Sequence, residues 1–181
     1  TNHRAPVRDI LKPDILINPN YPFREDGVDR FYNHAVEGGT LAHVMKLREE
    51  GLAANKPYFI FLQGFSFSNA NPSYAHRLPN ETELRALTYA YLSGGTKGIA
   101  WYNYEANAVD VGLISNSGVP SPVYPIAAEI NAEVKVLGNT LRLLDSTDVR
   151  IALGKYRDGS SNVVNNPMPQ GMTGWSAGAG G

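Results

Sequence analysis

The sequence contains no cysteine, and this absence removes disulfide bonds, thiolate catalysis and cysteine-ligated zinc from the available chemistry. Charged residues are scarce, at 18% of the chain, and 16 Lys and Arg against 17 Asp and Glu leave a net charge of −1. Electrostatic binding of nucleic acid normally requires a basic excess, so we expect no nucleic-acid partner. No apolar run approaches the ~18 residues of a membrane span, so none is predicted.

Cofactor-binding motifs are missing as well. Neither G-x-G-x-x-G nor a P-loop occurs, so we expect no nucleotide cofactor. The 4 His residues share no metal-ligand spacing and H-E-x-x-H does not occur, so we predict no metal site. The chain begins with Thr1 and shows no signal peptide, from which we expect it to be a piece of a longer protein.

The sequence does contain enough apolar material for one domain, with 43% hydrophobic residues in 181. Three short runs rich in β-branched and aromatic residues predict strands, and each precedes a segment with apolar residues at helical spacing. The predicted strands are 14–18, 58–63 and 98–104, and the predicted helices are 30–54 (broken at Gly38-Gly39), the segment between Asn80 and Gly94, and 125–144. This alternation indicates an α/β fold with a parallel sheet.

Local signals mark one helix start and one change of architecture. Asn80 is a favourable N-cap residue, and Glu83 completes a capping-box pattern. After residue 147 the pattern changes, and segments 149–153 and 161–164 around Asp158-Gly159 predict a β-hairpin. We therefore divide the chain into an α/β part at 1–147 and the start of a β-rich module at 148–181.

Ligands of α/β folds bind at the carboxyl ends of the strands, and amides and aromatic rings follow all three predicted strands. Aromatic rings cover the apolar C–H faces of a sugar, and amide and guanidinium groups match its hydroxyls, so we predict a carbohydrate site. The predicted binding residues are Asn18, Asn20 and Tyr21 after the first strand, Gln63, Phe65 and Arg77 after the second, and Trp101, Asn103 and Tyr104 at the third.

Several of these residues have structural alternatives. Trp101 and Tyr104 would equally well pack against neighbouring helices. Glu105 is the only carboxylate directly at a predicted strand end, which makes it the candidate catalytic residue, with a solvated loop glutamate as the alternative. The segment 64–68 is similar to a nucleophile elbow, but Ser68 stands where a glycine is needed and Asn-Ala-Asn-Pro follows instead of a helix, which disfavours a serine hydrolase.

Three motifs occur in order along the chain: Lys56-Pro-Tyr-Phe-Ile-Phe-Leu-Gln-Gly-Phe65, Arg77-Leu-Pro-Asn-Glu-Thr-Glu-Leu-Arg-Ala-Leu-Thr-Tyr-Ala-Tyr91 and Gly94-Gly-Thr-Lys-Gly-Ile-Ala-Trp-Tyr-Asn-Tyr104. They resemble the last third of (β/α)8-barrel glycoside hydrolases, most closely the β-galactosidase-like and uncharacterised hydrolase-like members from bacteria. Residues 14–22 are similar to the sixth strand of such barrels. The resemblance covers 14–145 and implies a partial TIM barrel of about three βα units, followed by the start of a β-sandwich module.

The resemblance implies a carbohydrate-binding protein, and it leaves hydrolysis open. Family members place the acid/base after strand four, which this chain lacks, and the nucleophile after strand seven, where Gln63 stands. Glutamine cannot be a nucleophile or proton donor of that kind, so hydrolysis would need Glu105 and a partner acid outside this chain. The alternative is a non-catalytic binding or assembly protein.

The incomplete barrel also implies a partner. A whole barrel takes ~250 residues, so the sheet edge of this chain needs the missing barrel half or another chain. We expect an extracellular or periplasmic location.

Overall fold

The computed structural model describes residues 9–28, 30–31, 39–106, 109–147 and 149. Within these ranges, three strands and three longer helices alternate, and residues 9–11 form a helical turn. The strands are β1 (Leu16–Asn20), β2 (Tyr58–Gln63) and β3 (Gly98–Tyr102), and the helices are α1 (Thr40–Ala54), α2 (Glu81–Ser93) and α3 (Val123–Leu141). The predicted module at 148–181 lies outside the described residues apart from residue 149, so the boundary at 147 stays a prediction.

The sheet is parallel throughout, and its strands lie in chain order, β1-β2-β3. Asn20 at the end of β1 pairs with Leu62, and Gln63 at the end of β2 pairs with Tyr102. These pairings confirm the predicted α/β class with neighbouring, co-directional strands. They also place the three carboxyl ends at one edge of the sheet.

The first strand lies two residues later than predicted and includes Pro19. Proline cannot donate a ladder hydrogen bond and is therefore confined to particular strand positions. The Leu16 amide donates to the Pro57 carbonyl at 3.0 Å. Because amides alternate in direction along a strand, the nitrogen of Pro19 lies on the side away from β2, where the β1–β2 ladder needs no donor.

Helices cover one face of the sheet. Ile60 and Leu62 of β2 are fully buried in a cluster with side chains of α1 and α2, and Trp101 packs between this cluster and a second one that joins α2 to α3. The first cluster comprises Leu16, Phe23, Val44, Leu47, Tyr58, Ile60, Leu62, Leu87 and Tyr91, and the second comprises Leu84, Leu113, Val123, Ala127 and Ile130. The core therefore lies between the sheet and one layer of helices.

The opposite face of the sheet is apolar and only partly covered. Side chains alternate along a strand, so Ile17, Phe59, Phe61 and Ala100 point away from the helix layer. Ile17 is 44% exposed, and Phe59 and Phe61 are partly exposed. We call these four residues the open face. Its residues are as apolar as those of a buried face. The three longer helices, however, all pack on the other face of the sheet.

The bounds of two helices and of the third strand differ from the predicted ones. Residues 30 and 31 form a turn and α1 begins at Thr40, after Gly39, while 32–38 lie outside the described residues. The helix α3 occupies Val123–Leu141 rather than 125–144. The strand β3 ends at Tyr102 instead of Tyr104, because the backbone that follows turns to pair with the loop at 111–114.

The capping box of α2 is confirmed. The Asn80 side chain accepts a hydrogen bond from the Glu83 amide at 3.0 Å, and the Glu83 carboxylate accepts one from the Asn80 amide at 3.0 Å. These two bonds satisfy backbone donors that the first helical turn leaves unpaired. They fix where α2 begins.

Candidate functional site

An aromatic group lies at the carboxyl edge of the sheet. The Tyr21 ring stacks on the Tyr102 ring, with centroids 5.5 Å apart, and meets the Phe65 ring edge-on at 5.0 Å. The Phe65 ring meets the Tyr102 ring edge-on at 5.4 Å, and the His76 ring lies 5.2 Å from the Phe65 ring. We call Tyr21, Phe65, His76 and Tyr102 the rim cluster. Parallel pairing of the strands produces it, because each strand end contributes one of the three benzene-type rings.

The rim cluster is uncharged and reaches the surface through Tyr102. Phe65 is buried, Tyr21 and His76 are half-buried, and Tyr102 is 36% exposed. Burial, and to a smaller extent the neighbouring Tyr102 phenol, raises the pKa of Tyr21 above its ordinary value, so its hydroxyl stays protonated. Burial and the nearby positive charge of Arg24 lower the pKa of His76, so its ring is neutral at pH 7.

Gln63 lies beneath this cluster and is fully buried. Its Nε2 donates to the carbonyls of Phe23 at 3.0 Å and Arg77 at 2.9 Å, and its Oε1 accepts from the Phe23 amide at 3.0 Å. The side chain therefore connects the loop after β1 to the loop after β2. At the position where the resemblance implies a nucleophile, the structure has an amide whose hydrogen bonds are used within the chain.

Arg77 holds the far end of the loop after β2. Its guanidinium group pairs with the Glu83 carboxylate at 2.8 and 2.5 Å and lies 5.3 Å from the centre of the Phe23 ring. The hydrogen bonds from Arg77 lower the pKa of Glu83. The loop therefore ends on the first turn of α2, whose capping box uses the same glutamate.

Three of the predicted binding residues belong to the side of the sheet that the helices cover. Asn18 pairs in register with the buried Ile60, and Trp101 donates from its indole nitrogen to Asn131 of α3 at 2.9 Å. Trp101 thus packs against a neighbouring helix, which is the structural alternative to sugar binding given for it above. Asn20 is 6% exposed, and within the described residues its Nδ2 has no hydrogen-bond partner.

The residues after β3 lie in a loop rather than in the strand, and the peptide bond from Tyr102 to Asn103 is cis. The Asn103 carbonyl accepts from the Leu113 amide at 2.9 Å. Tyr104 is 56% exposed and Glu105 is exposed. In the described part of the chain, no hydrogen bond or ion pair is formed by the Glu105 carboxylate.

The structure thus brings together Tyr21 and Phe65 of the predicted set and adds Tyr102 and His76, which the predicted set does not contain. Alternation along β3 was the available signal for Tyr102, because Trp101 and Tyr102 must point to opposite faces. The sequence places His76 in the loop after the second strand, at the same edge, but that position alone does not bring its ring to Phe65. Its position depends on the Phe67 amide, which donates to the His76 carbonyl, and on the reciprocal bond, both at 2.8 Å.

Other types of site find no support among the described residues. The backbone at Ser66 pairs with the loop at 110–111, and the next helix begins only at Glu81, which is not the geometry of a nucleophile elbow. No group of three or more His, Asp or Glu side chains in the described ranges could hold a metal ion. None of the helices described here combines the length and the apolar character needed to cross a bilayer.

Comparison with known proteins adds no family. No protein-family model matches the sequence, and no curated protein matches it. The resemblance to glycoside hydrolases therefore depends on the sequence motifs alone.

Proposed function

We propose that the chain binds a carbohydrate at the carboxyl edge of its sheet. The observation that carries this proposal is the rim cluster, in which the partly exposed Tyr102 ring stacks on Tyr21. Aromatic rings held by neighbouring rings lose little entropy on binding, and they favour the apolar face of a sugar ring. The hydroxyl groups of Tyr21 and Tyr102 supply the hydrogen bonds that a sugar hydroxyl needs.

We further propose that the three βα units belong to a (β/α)8 barrel of the glycoside-hydrolase type. Strand order that follows chain order, helices on one face and an apolar open face support this proposal. In a barrel, the open face would point to the interior. The remaining strands would come from another part of the protein or from another chain, placed beside β1 or β3.

Titration of the chain with saccharides tests the binding proposal. We expect Tyr102→Ala to weaken binding of cello-, xylo- and galacto-oligosaccharides by about five- to tenfold, in line with ~1–1.5 kcal/mol for an aromatic contact. Tyr124→Ala is the matched control, because Tyr124 is 37% exposed on α3 and makes no ring contact with the rim cluster. Equal loss of affinity in the two variants would contradict the proposal.

Binding without hydrolysis is favoured by one observation, the buried and fully engaged amide of Gln63. Hydrolysis is the second candidate, with Glu105 as the carboxylate and its partner acid outside this chain. Turnover of aryl glycosides by the complete protein, compared with that of its Glu105→Gln variant, separates the two. Turnover that Glu105→Gln abolishes, with sugar binding retained, would establish hydrolysis, whereas binding with no turnover supports the first candidate.

A further inference from the structure

A cleft of about 490 Å³ lies between the loop after β2 and the loop after β3. We call it the loop cleft. Asn18 and Asn20, the amide residues predicted to bind at the end of β1, do not line it. The polar residues that line it are Glu25, Ser66, Ser68, Asn69, His76, Arg77 and Asp110. This volume is in the range of small-molecule sites.

Main-chain hydrogen bonds fix the walls of the loop cleft. The Ser66 amide donates to the Val111 carbonyl at 3.0 Å, and the Asp110 amide donates to the Ser66 carbonyl at 3.0 Å. The Asp110 carboxylate accepts from the Ser68 amide at 2.5 Å. On the other side, the Glu25 amide donates to the Ala75 carbonyl at 3.1 Å. The cleft is therefore formed before any ligand arrives, which lowers the entropy cost of binding.

The loop cleft is continuous with the rim cluster. His76 belongs to both, because its ring contacts Phe65 and the residue is also part of the cleft lining. Ser66 follows Phe65 directly in the chain. A ligand whose one ring stacks on Tyr102 would therefore extend its next polar part toward the serine hydroxyls.

The charges that line the loop cleft are mainly negative. Glu25 and Asp110 bring two carboxylates, and the one lining guanidinium group, that of Arg77, is already paired with Glu83. The His76 ring is neutral at pH 7 because burial and Arg24 lower its pKa. Arg24, whose charge lies near His76, is not a lining residue, and its guanidinium group donates to the Ser73 carbonyl at 2.7 Å. A carboxylate or sulfate on a ligand would therefore meet like charge at Glu25 and Asp110, whereas a hydroxyl would find acceptors and donors.

We propose that the loop cleft is a saccharide subsite that selects uncharged sugars over uronic acids and sulfated sugars. This inference rests on the proposed carbohydrate binding and adds the chemical class of the ligand and the residues that select it. Glu25 and Asp110 exclude acidic sugars by repulsion and accept hydrogen bonds from the hydroxyls of neutral ones. Ser66 and Ser68 supply hydroxyl donors on the same wall.

An NMR titration of the full chain tests this selectivity, with 4-nitrophenyl β-glucoside and 4-nitrophenyl β-glucuronide as probes at pH 7 and low salt. The probes share one aglycone and differ at the sugar by a carboxylate. We expect the glucoside to shift resonances of Ser66, Ser68 and His76 and to bind about tenfold more tightly than the glucuronide. The difference in affinity between the two probes should decrease in the double variant Glu25→Gln, Asp110→Asn, and at higher salt. The control variant Glu49→Gln on α1, which removes a distant exposed charge, should leave this difference in affinity unchanged.

Failure of the subsite differs from failure of sugar binding. If both probes bind equally, or if the glucoside binds in a manner that Tyr102→Ala abolishes while the cleft resonances stay still, the subsite is overturned and the proposed function stands. If neither probe nor any oligosaccharide binds, both proposals are overturned.

Discussion

A single buried amide, that of Gln63, determines how the two loops that carry the rim cluster are held. Its donors satisfy carbonyls of Phe23 and Arg77, and its acceptor satisfies the Phe23 amide. A carboxylate has the same shape but no donors, so the site discriminates between glutamine and glutamate. The residue that the glycoside-hydrolase resemblance marks as a missing nucleophile is therefore a structural connection in this chain.

Gln63→Glu tests this function of the amide. The variant loses two donors and brings a negative charge against two carbonyl oxygens, so we expect the free energy of unfolding at pH 7 to fall by ~3–5 kcal/mol. Burial would raise the pKa of the new carboxyl above its unfolded value of ~4.3, so the penalty should be full at high pH and should shrink as the pH falls toward that value. Urea denaturation of the variant and the wild type between pH 4.5 and 8 measures this loss of stability.

Gln63→Leu is the control for the charge. It removes the same hydrogen bonds without adding a titratable group, so its destabilisation should not vary with pH over that range. A penalty for Gln63→Glu that is equally pH-independent would show that lost hydrogen bonds, and not buried charge, explain the effect.

A second prediction at the scale of single residues concerns the stability that the Asp26–Arg30 ion pair contributes. Two hydrogen bonds of 2.6 Å join the groups, and each side chain is 9% exposed. The hydrogen bonds from Arg30 hold the pKa of Asp26 well below its ordinary value. The stability from this pair is therefore fully present above the unfolded pKa of ~3.9 and is lost as the pH falls toward the folded pKa.

Asp26→Asn leaves the Arg30 charge buried without its partner, so we expect a loss of ~3–5 kcal/mol in the free energy of unfolding at pH 7. The difference from the wild type should decrease below pH ~4, as the wild type loses the same interaction. Glu49→Gln is the control, because the exposed Lys46–Glu49 pair at 3.2 Å should contribute less than ~1 kcal/mol. Denaturant titrations at pH 7 and pH 3 that gave equal differences for Asp26→Asn would contradict the assignment.

Whole elements were predictable where their signals are local. The strand β2 has the predicted bounds, and the Asn80–Glu83 pattern placed the start of α2, because neighbouring residues alone determine both. The prediction ended β1 two residues too early, at Asn18, because Pro19 is tolerated in the strand only through its position beside β2, which a single sequence does not display. Tyr102 and His76 were absent from the predicted site for a related reason, since contacts between distant segments create the rim cluster.

The loop after β3 depends on a glycine at one close approach. A Cβ at Gly112 would lie 2.8 Å from the Asn103 carbonyl oxygen and 3.1 Å from that of Tyr104, and backbone cannot yield as a side chain would. We expect Gly112→Ala to lower the free energy of unfolding by ~1–3 kcal/mol. Gly138→Ala is the control, because nothing lies within 4 Å of a Cβ there, and alanine inside α3 should stabilise by ~0.5–1 kcal/mol. Thermal unfolding that moved both variants in the same direction would contradict this interpretation.

The whole molecule carries an apolar surface that its own described helices do not cover. Ile17, Phe59, Phe61 and Ala100 form the open face, and β1 and β3 each have a neighbouring strand on one side only within the described sheet. Such faces and edges promote association with other chains. The net charge of −1 gives little electrostatic repulsion between copies of the chain, so it does not oppose such association. A partner that completes the sheet, as proposed for the barrel, would cover this surface.

Association through the open face is testable with one charge. We expect the isolated chain to self-associate with rising concentration, as measured by sedimentation velocity, because no further strand among the described residues covers Ile17, which is 44% exposed. Ile17→Lys should weaken that association strongly while changing the free energy of unfolding little, since the side chain already meets solvent. Val136→Lys is the control, because Val136 is 70% exposed on α3, and it should leave association unchanged. A monomer at every concentration, or equal effects of the two variants, would argue against the open face as the surface that a partner completes.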